Sequence, residues 1–282
     1  MSRILIELTR IAEKYFAQSS GDQYIVRGLW RNQYILKLTS DESVFNLRYI
    51  IVQTDKQGCC YVDELNSSID ESIIGKNLII EPYENENIMT AYLDAVFASI
   101  IRNPNDRFII EGSNIEKASL RAKIVCNEVF SLLRDRTPKN GSSKPIVLNV
   151  GVVGGFLKNL SLDNSIEVRA CDLYSKIIDK SVHGIKIENG TKFGSNNIGD
   201  RTLEMIARSD VALVTGMTLA TNTLDDIIST ALMNNTALVI FAETGAYFAE
   251  EYCKMGVDVV VSEPHPFYMI CSGNTQISIY RK

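Results

Sequence analysis

The sequence predicts an α/β protein in which a Rossmann-like parallel sheet domain follows a smaller N-terminal α+β domain. Three observations carry this. From Pro145 onward, short apolar runs alternate with helical patterns, as expected of parallel strands covered on both faces. In the first half, strand-like runs come first and helices afterwards, the order of an α+β unit. Between the halves lies Thr137-Pro138-Lys139-Asn140-Gly141-Ser142-Ser143-Lys144-Pro145, whose prolines, glycine and serines read as a linker. The expected domains are therefore residues 1–137 and 145–282, and a chain of 282 residues suits two of them.

The first half opens on an amphipathic helix, with Ile4, Leu5, Leu8, Ile11, Ala12 and Tyr15 at helical spacing. Strands are expected at Gln23–Val26, Gln33–Leu38, Phe45–Gln53 and Cys59–Val62, with turns at Asp41-Glu42-Ser43 and Lys56-Gln57-Gly58. Helices are expected over Ile88–Ile101 and Ile115–Leu133. In the second half the strand candidates are Ile146–Val150, Ile166–Cys171, Val211–Val214, Ala237–Phe241, Val257–Val261 and Gln276–Tyr280. Helical patterns fall at Phe156–Leu160, Arg201–Arg208, Leu224–Met233 and Ala246–Met255, the last ended by Gly256 as a C′ glycine.

Composition narrows the function. Hydrophobic residues make up 45% and charged residues 22%, with a net charge of −5. Lysines and arginines are scattered, so no basic footprint for nucleic acid is expected. No window approaches the roughly 18–20 apolar residues of a membrane span, and the N-terminus lacks the apolar core of a signal peptide. The cysteines at 59, 60, 126, 171, 253 and 271 form no CxxC pair and read as free thiols in a cytoplasmic protein. The N-terminal unit looks too small to cover its own sheet, which makes a homodimer an expectation.

Parallel sheets bind ligands at the carboxyl ends of their strands, so the strand-to-helix turns are where chemistry is sought. Gly151-Val152-Val153-Gly154-Gly155 follows the first strand of the second half. Its glycines let backbone N–H groups approach an anion at a helix start. The spacing is not G-x-G-x-x-G, so the dinucleotide signal is weak. Asp172 lies 21 positions after Gly151, where a ribose-binding acid would sit, or where an aspartate would cap a turn. The second turn holds Thr215, Gly216, Thr218, Thr221, Asn222 and Thr223. One threonine, Thr221 or Thr223, is expected as an N-cap, and the others exceed what capping needs. Their hydroxyls, with the Asn222 amide, suit a carboxylate, a phosphate or a metal-bound oxygen ligand. Glu243 and Thr244 follow the next strand, Glu243 serving a cationic group, acid–base chemistry or merely solvent. His183 and His265 are the only histidines. Cys171, Asp172, His265 and Cys271 lie at strand ends but lack metal-ligand spacing. No nucleophile elbow, Walker loop or H-E-x-x-H is present.

Thr215-Gly216-Met217-Thr218-Leu219 with Thr223-Leu224 resembles the T-G-x-T-L-x-N-x-T motif of a prokaryotic heavy-metal chelation family. That family joins a domain similar to the enolase N-terminal domain to a Rossmann-like domain. The resemblance spans about residues 145–262, with Ala91-Tyr92-Leu93-Asp94-Ala95 as its trace in the first half. Thr221 replaces the motif asparagine, and Glu243-Thr244-Gly245 replaces a Gly-Pro-Ser turn. The resemblance implies a cleft between the two domains holding a metal, a metal chelate or a small anionic metabolite, so a divalent metal ion is the cofactor candidate. The leading expectation is a small anionic or metal-chelating ligand held by Gly154, Gly155, Thr215, Thr218 and Asn222, in a biosynthetic enzyme or a binding protein. The alternatives are a nucleotide- or S-adenosylmethionine-dependent enzyme using Asp172, and a metal-binding protein without catalysis.

Overall fold

The computed structural model describes residues 1–18, 22–36, 45–62, 70–100, 102–134, 136–190, 201–271 and 273–282. Lys37 and Leu38 of an expected strand, the turn at Asp41-Glu42-Ser43 and Ile101 lie outside these residues. Helix α1 spans Arg3–Phe16 and is capped by the Ser2 hydroxyl, which accepts from the Leu5 N–H. Strands β1 (Gly28–Leu36), β2 (Phe45–Gln53) and β3 (Gln57–Tyr61) form an antiparallel sheet in that order. The expected strand Gln23–Val26 is instead a 3-10 turn over Asp22–Tyr24. Its backbone bonds locally and to the 75–76 segment, with Val26 N–H reaching the Lys76 carbonyl, so no ladder is left to extend.

Helix α2 (Glu86–Phe97) packs against β2 and β3 and is almost wholly buried. Strand β4 (Asp106–Ile110) and helix α3 (Asn114–Leu133) come next. The second half then runs β5 (Ile146–Val150), α4 (Gly154–Leu160), β6 (Glu167–Asp172), β7 (Ser181–Val182), β8 (Ile185–Asn189), α5 (Arg201–Arg208) and β9 (Val211–Thr215). It closes with α6 (Met217–Ala220), α7 (Leu224–Met233), β10 (Ala237–Ala242), α8 (Ala249–Lys254), β11 (Val259–Ser262) and β12 (Thr275–Arg281). The pattern expected as one helix from Ala246 is a 3-10 turn followed by α8, and Gly256 follows that helix with φ 112°.

The large sheet has the order β4-β12-β11-β10-β9-β5-β6-β8-β7. Strands β8, β6, β5, β9, β10 and β11 are mutually parallel, the 3-2-1-4-5-6 order of a Rossmann sheet. Strands β12 and β4 extend the sheet in antiparallel register. Thus β4, which precedes the expected linker, is an edge strand of the large sheet. The β7–β8 pair is a hairpin turned by His183 (φ 50°) and Gly184 (φ 81°), a two-residue turn with both positions left-handed.

Strand residues alternate between two cores. Leu148, Val150, Ala212, Val214, Leu238 and Ile240 face α5, α7, α8 and the small sheet with α1 and α2. Val147, Val211, Leu213, Val239 and Phe241 face α3 and α4. Helix α3 therefore covers one face of the large sheet although it precedes the linker. The linker itself is pinned, because Lys139 Nζ donates to the carbonyls of Ser209 and Asn234 and to the Thr236 hydroxyl. Among the described residues no helix is long and apolar enough to cross a membrane.

Candidate functional site

After β5 the chain winds to β6 and β8 on one side, and after β9 to β10 and β11 on the other. The winding reverses between β5 and β9, which is where an open α/β sheet leaves a crevice at its strand ends. Two of the turns singled out in the sequence border that point.

The β5 turn is held in shape by its neighbours. Gly151 sits at φ 77° and donates its N–H to the Cys171 carbonyl at 3.0 Å. Asn149, fully buried in β5, donates its amide to the Gly151 and Leu213 carbonyls and accepts from the Val153 N–H. The sequence reading passed over Asn149; the available signal was one amide inside the apolar run Ile146–Val150. Asp172 accepts from Val152 N–H at 2.6 Å and from Tyr174 N–H at 2.8 Å, so each carboxylate oxygen braces a turn. Gly154 and Gly155 open α4, whose N-cap Val153 supplies no side-chain hydrogen bond.

The β9 turn is more inward-looking than its composition suggests. Thr218 donates its hydroxyl to the Thr215 carbonyl at 2.8 Å, and Thr223 to the Thr218 carbonyl at 3.2 Å. Thr221 reaches the Met217 and Thr218 carbonyls, both at 3.3 Å, and lies 3.1 Å from the Thr223 hydroxyl. Thr223 does take the N-cap position of α7, but its side chain makes no capping bond there. Asn222 is exposed at φ 56°. Thr215 differs from the other threonines: its Oγ1 is buried and has no hydrogen-bond partner among the described residues. A Cβ on Gly151 would collide with that hydroxyl, and one on Gly216 would lie 2.6 Å from the Thr244 carbonyl. The two glycines are what let the β5, β9 and β10 turns approach one another.

Glu243 and Thr244 follow β10 next to the Gly216 turn, but their side chains meet the small sheet. Thr244 accepts from the Tyr61 N–H at 2.9 Å, and Glu243 accepts from the Tyr49 hydroxyl at 3.3 Å. Arg121 of α3 donates to Glu243 at 2.8 Å, to Glu263 at 3.4 Å and to the Tyr268 hydroxyl at 3.2 Å. Its guanidinium also lies over the Tyr268 ring, 4.1 Å from the centroid. One cation thus faces two carboxylates. Burial, only partly offset by Arg121, pushes the Glu243 carboxyl up to about 7. Asp94 of α2 accepts from Tyr247 N–H at 2.9 Å and Cys59 N–H at 3.1 Å, and burial raises it likewise to about 7. These bonds fasten the small sheet to the strand ends of the large one.

The four residues considered for a soft metal do not meet. Cys171 and Asp172 end β6, whereas His265 and Cys271 follow β11, and β5, β9 and β10 lie between. Four strand spacings of about 4.8 Å separate the two pairs. Among the described residues no three His, Cys, Asp or Glu side chains are grouped to hold a metal ion.

The sheet order and the parallel strands define a Rossmann-type α/β protein. No family model matches the chain, and no curated protein matches it. Its architecture is similar to that of two solved proteins of unknown function from the DUF364 family. One, from Pyrococcus horikoshii, has a TM-score of 0.50 at 13% identity, covering 98% of this chain and 99% of that one. The other, from Desulfitobacterium hafniense, has a TM-score of 0.51 at 11% identity, covering 98% of each. The likeness spans both halves of the chain and concerns the fold alone.

Proposed function

We propose that the protein binds a small, oxygen-rich anionic or metal-chelating metabolite in the crevice between the ends of β5 and β9. The observation that carries this reading is the reversal of winding between those two strands, flanked by the Gly151 and Thr215-Gly216 turns. The buried, unpartnered Thr215 hydroxyl and the glycine-opened start of α4 support it. Oxygen-rich ligands suit the groups left over, the Gly154 and Gly155 N–H at the start of α4 and the Thr215 hydroxyl, since the Gly151 and Gly216 N–H groups are bonded to the Cys171 and Phe241 carbonyls. A metal would arrive with such a ligand, as the heavy-metal chelation resemblance implies, since the crevice offers hydroxyl and amide groups and few ligating side chains. A nucleotide or S-adenosylmethionine is the second reading, favoured by Asp172 at the end of β6. Against it, Asp172 already braces two backbone N–H groups.

Amide NMR of the full chain, titrated separately with malonate, inorganic phosphate and S-adenosylmethionine, tests the proposal. The Gly151, Gly154, Gly155 and Gly216 amides should shift together and saturate with malonate or phosphate. Saturation with S-adenosylmethionine alone would transfer the site to the second reading. Silence of these four amides with every probe, and no molecule retained in native mass spectrometry, would overturn both.

A further inference from the structure

A second cavity lies away from the β5–β9 crevice, beyond β11 on the sheet face that α8 covers. It is half open to solvent and holds about 360 Å³, within the range of small-ligand sites. Tyr247, Tyr280 and Pro266 supply flat walls, and Arg102, His265 and Thr275 supply polar groups. These polar groups are poorly used by the protein itself. The Arg102 side chain is 7% exposed; its guanidinium lies over the Phe97 ring, 5.3 Å from the centroid, and among the described residues its Nη1 alone is hydrogen-bonded, to Glu250 at 2.7 Å and Glu251 at 3.0 Å. Its Nε and Nη2 are buried without a partner among the described residues, as are both ring nitrogens of His265 and the Thr275 hydroxyl.

A buried donor left unpaired costs free energy, so unpaired groups on three residues that line one cavity mark it as a candidate ligand site. The Nε–Nη2 edge of a guanidinium presents two parallel N–H groups, the spacing that matches two oxygens of a carboxylate or phosphate. The local charge permits an anion. Glu250 and Glu251 are shared with the Asn103 N–H and with Lys254. Arg107, which also lines the cavity, adds another guanidinium.

We propose that this cavity is a binding site for a small organic oxyanion with a flat apolar body. The unpaired polar atoms of Arg102, Thr275 and His265 are covered in this structure; a turn of these side chains brings the free edge of Arg102, the Thr275 hydroxyl and the His265 ring onto the oxyanion, and the body lies between Tyr247, Tyr280 and Pro266. Carboxylate and phosphate ester share this chemistry, and the probes separate them. The site is independent of the β5–β9 crevice.

Isothermal titration calorimetry of the full chain with benzoate, phenyl phosphate and benzamide tests the assignment. Benzoate or phenyl phosphate should bind saturably, with neutral benzamide at least about tenfold weaker. Thr275→Val and His265→Gln should each weaken the anion by about fivefold or more. In the unaltered protein the His265 imidazole signals should move with the same dissociation constant, a readout that survives if a variant fails to fold. The chain has two histidines, so His183→Asn assigns the signals. Absence of saturable anion binding at millimolar probe, equal binding of benzamide, or a silent His265 would each overturn it.

Discussion

Arg121 of α3 and Glu243 at the end of β10 meet at 2.8 Å, although 122 positions separate them in the chain. The same guanidinium faces Glu263, whose side chain is fully buried. This group joins α3 to two strand ends and, through Tyr49, to the small sheet. Removing the cation leaves two carboxylates in a site too dry to hydrate them. Arg121→Met should therefore cost about 3–5 kcal/mol, read from urea denaturation at neutral pH. A loss under about 1 kcal/mol would show that the carboxylates find other partners.

Glu243 gives the same cluster a pH dependence. Its carboxyl is raised from 4.5 to about 7 in the folded chain, burial being the first cause. A raised folded value means that the folded state holds the proton more tightly. Its contribution is complete below pH 4.5 and is lost as pH climbs through about 7. Glu243→Gln keeps an acceptor for Arg121 and removes the titration. The stability difference between the native chain and this variant should move in the variant's favour between those two pH values. A difference that is flat across them contradicts the assignment.

The sequence made the parallel strands legible because burial on both faces turns them into apolar runs, as in Val211-Ala212-Leu213-Val214. It hid β4, whose Phe108 and Ile109 are exposed at a sheet edge and whose partner β12 lies far along the chain. The hairpin at 181–189 escaped because Ser181, Lys186 and Asn189 face solvent and leave only a faint alternation. Among site residues, the glycine and threonine turns stood out by composition. Arg121 did not, since helical spacing alone does not separate a cation drawn inward from one left in water, and both its acidic partners are distant in sequence. The inward folding of Thr218, Thr221 and Thr223 was equally invisible, because hydroxyl composition carries no information on which carbonyl each will meet.

Gly151 and Thr215 should be coupled. Gly151→Ala places a side chain at φ 77° and drives its Cβ into the Thr215 hydroxyl. The backbone strain alone is about 1–2 kcal/mol, and the collision adds to it. Thr215→Ala removes the obstructing hydroxyl but not the strain. The double variant should thus recover part of the Gly151→Ala loss, with a coupling of at least about 0.5 kcal/mol in a denaturation cycle. Strict additivity would mean that the two turns do not touch in solution.

Lys117 offers a test of how the rim of the second cavity is held. The residue is 1% exposed, and its Nζ donates to the carbonyls of Cys271 and Gly273, both at 2.8 Å. Those carbonyls flank the loop that leads into Thr275. Lys117→Met keeps most of the apolar stem volume but removes both charge-assisted bonds, each worth about 1.5–3 kcal/mol. Part of that loss is offset because the charge no longer has to be buried. The net effect should be a lower melting temperature together with faster amide exchange near Cys271 and Asn274, while β9 and β10 exchange as before. Exchange accelerated evenly across the sheet would instead place Lys117 in the global core and leave the cavity rim held by other contacts.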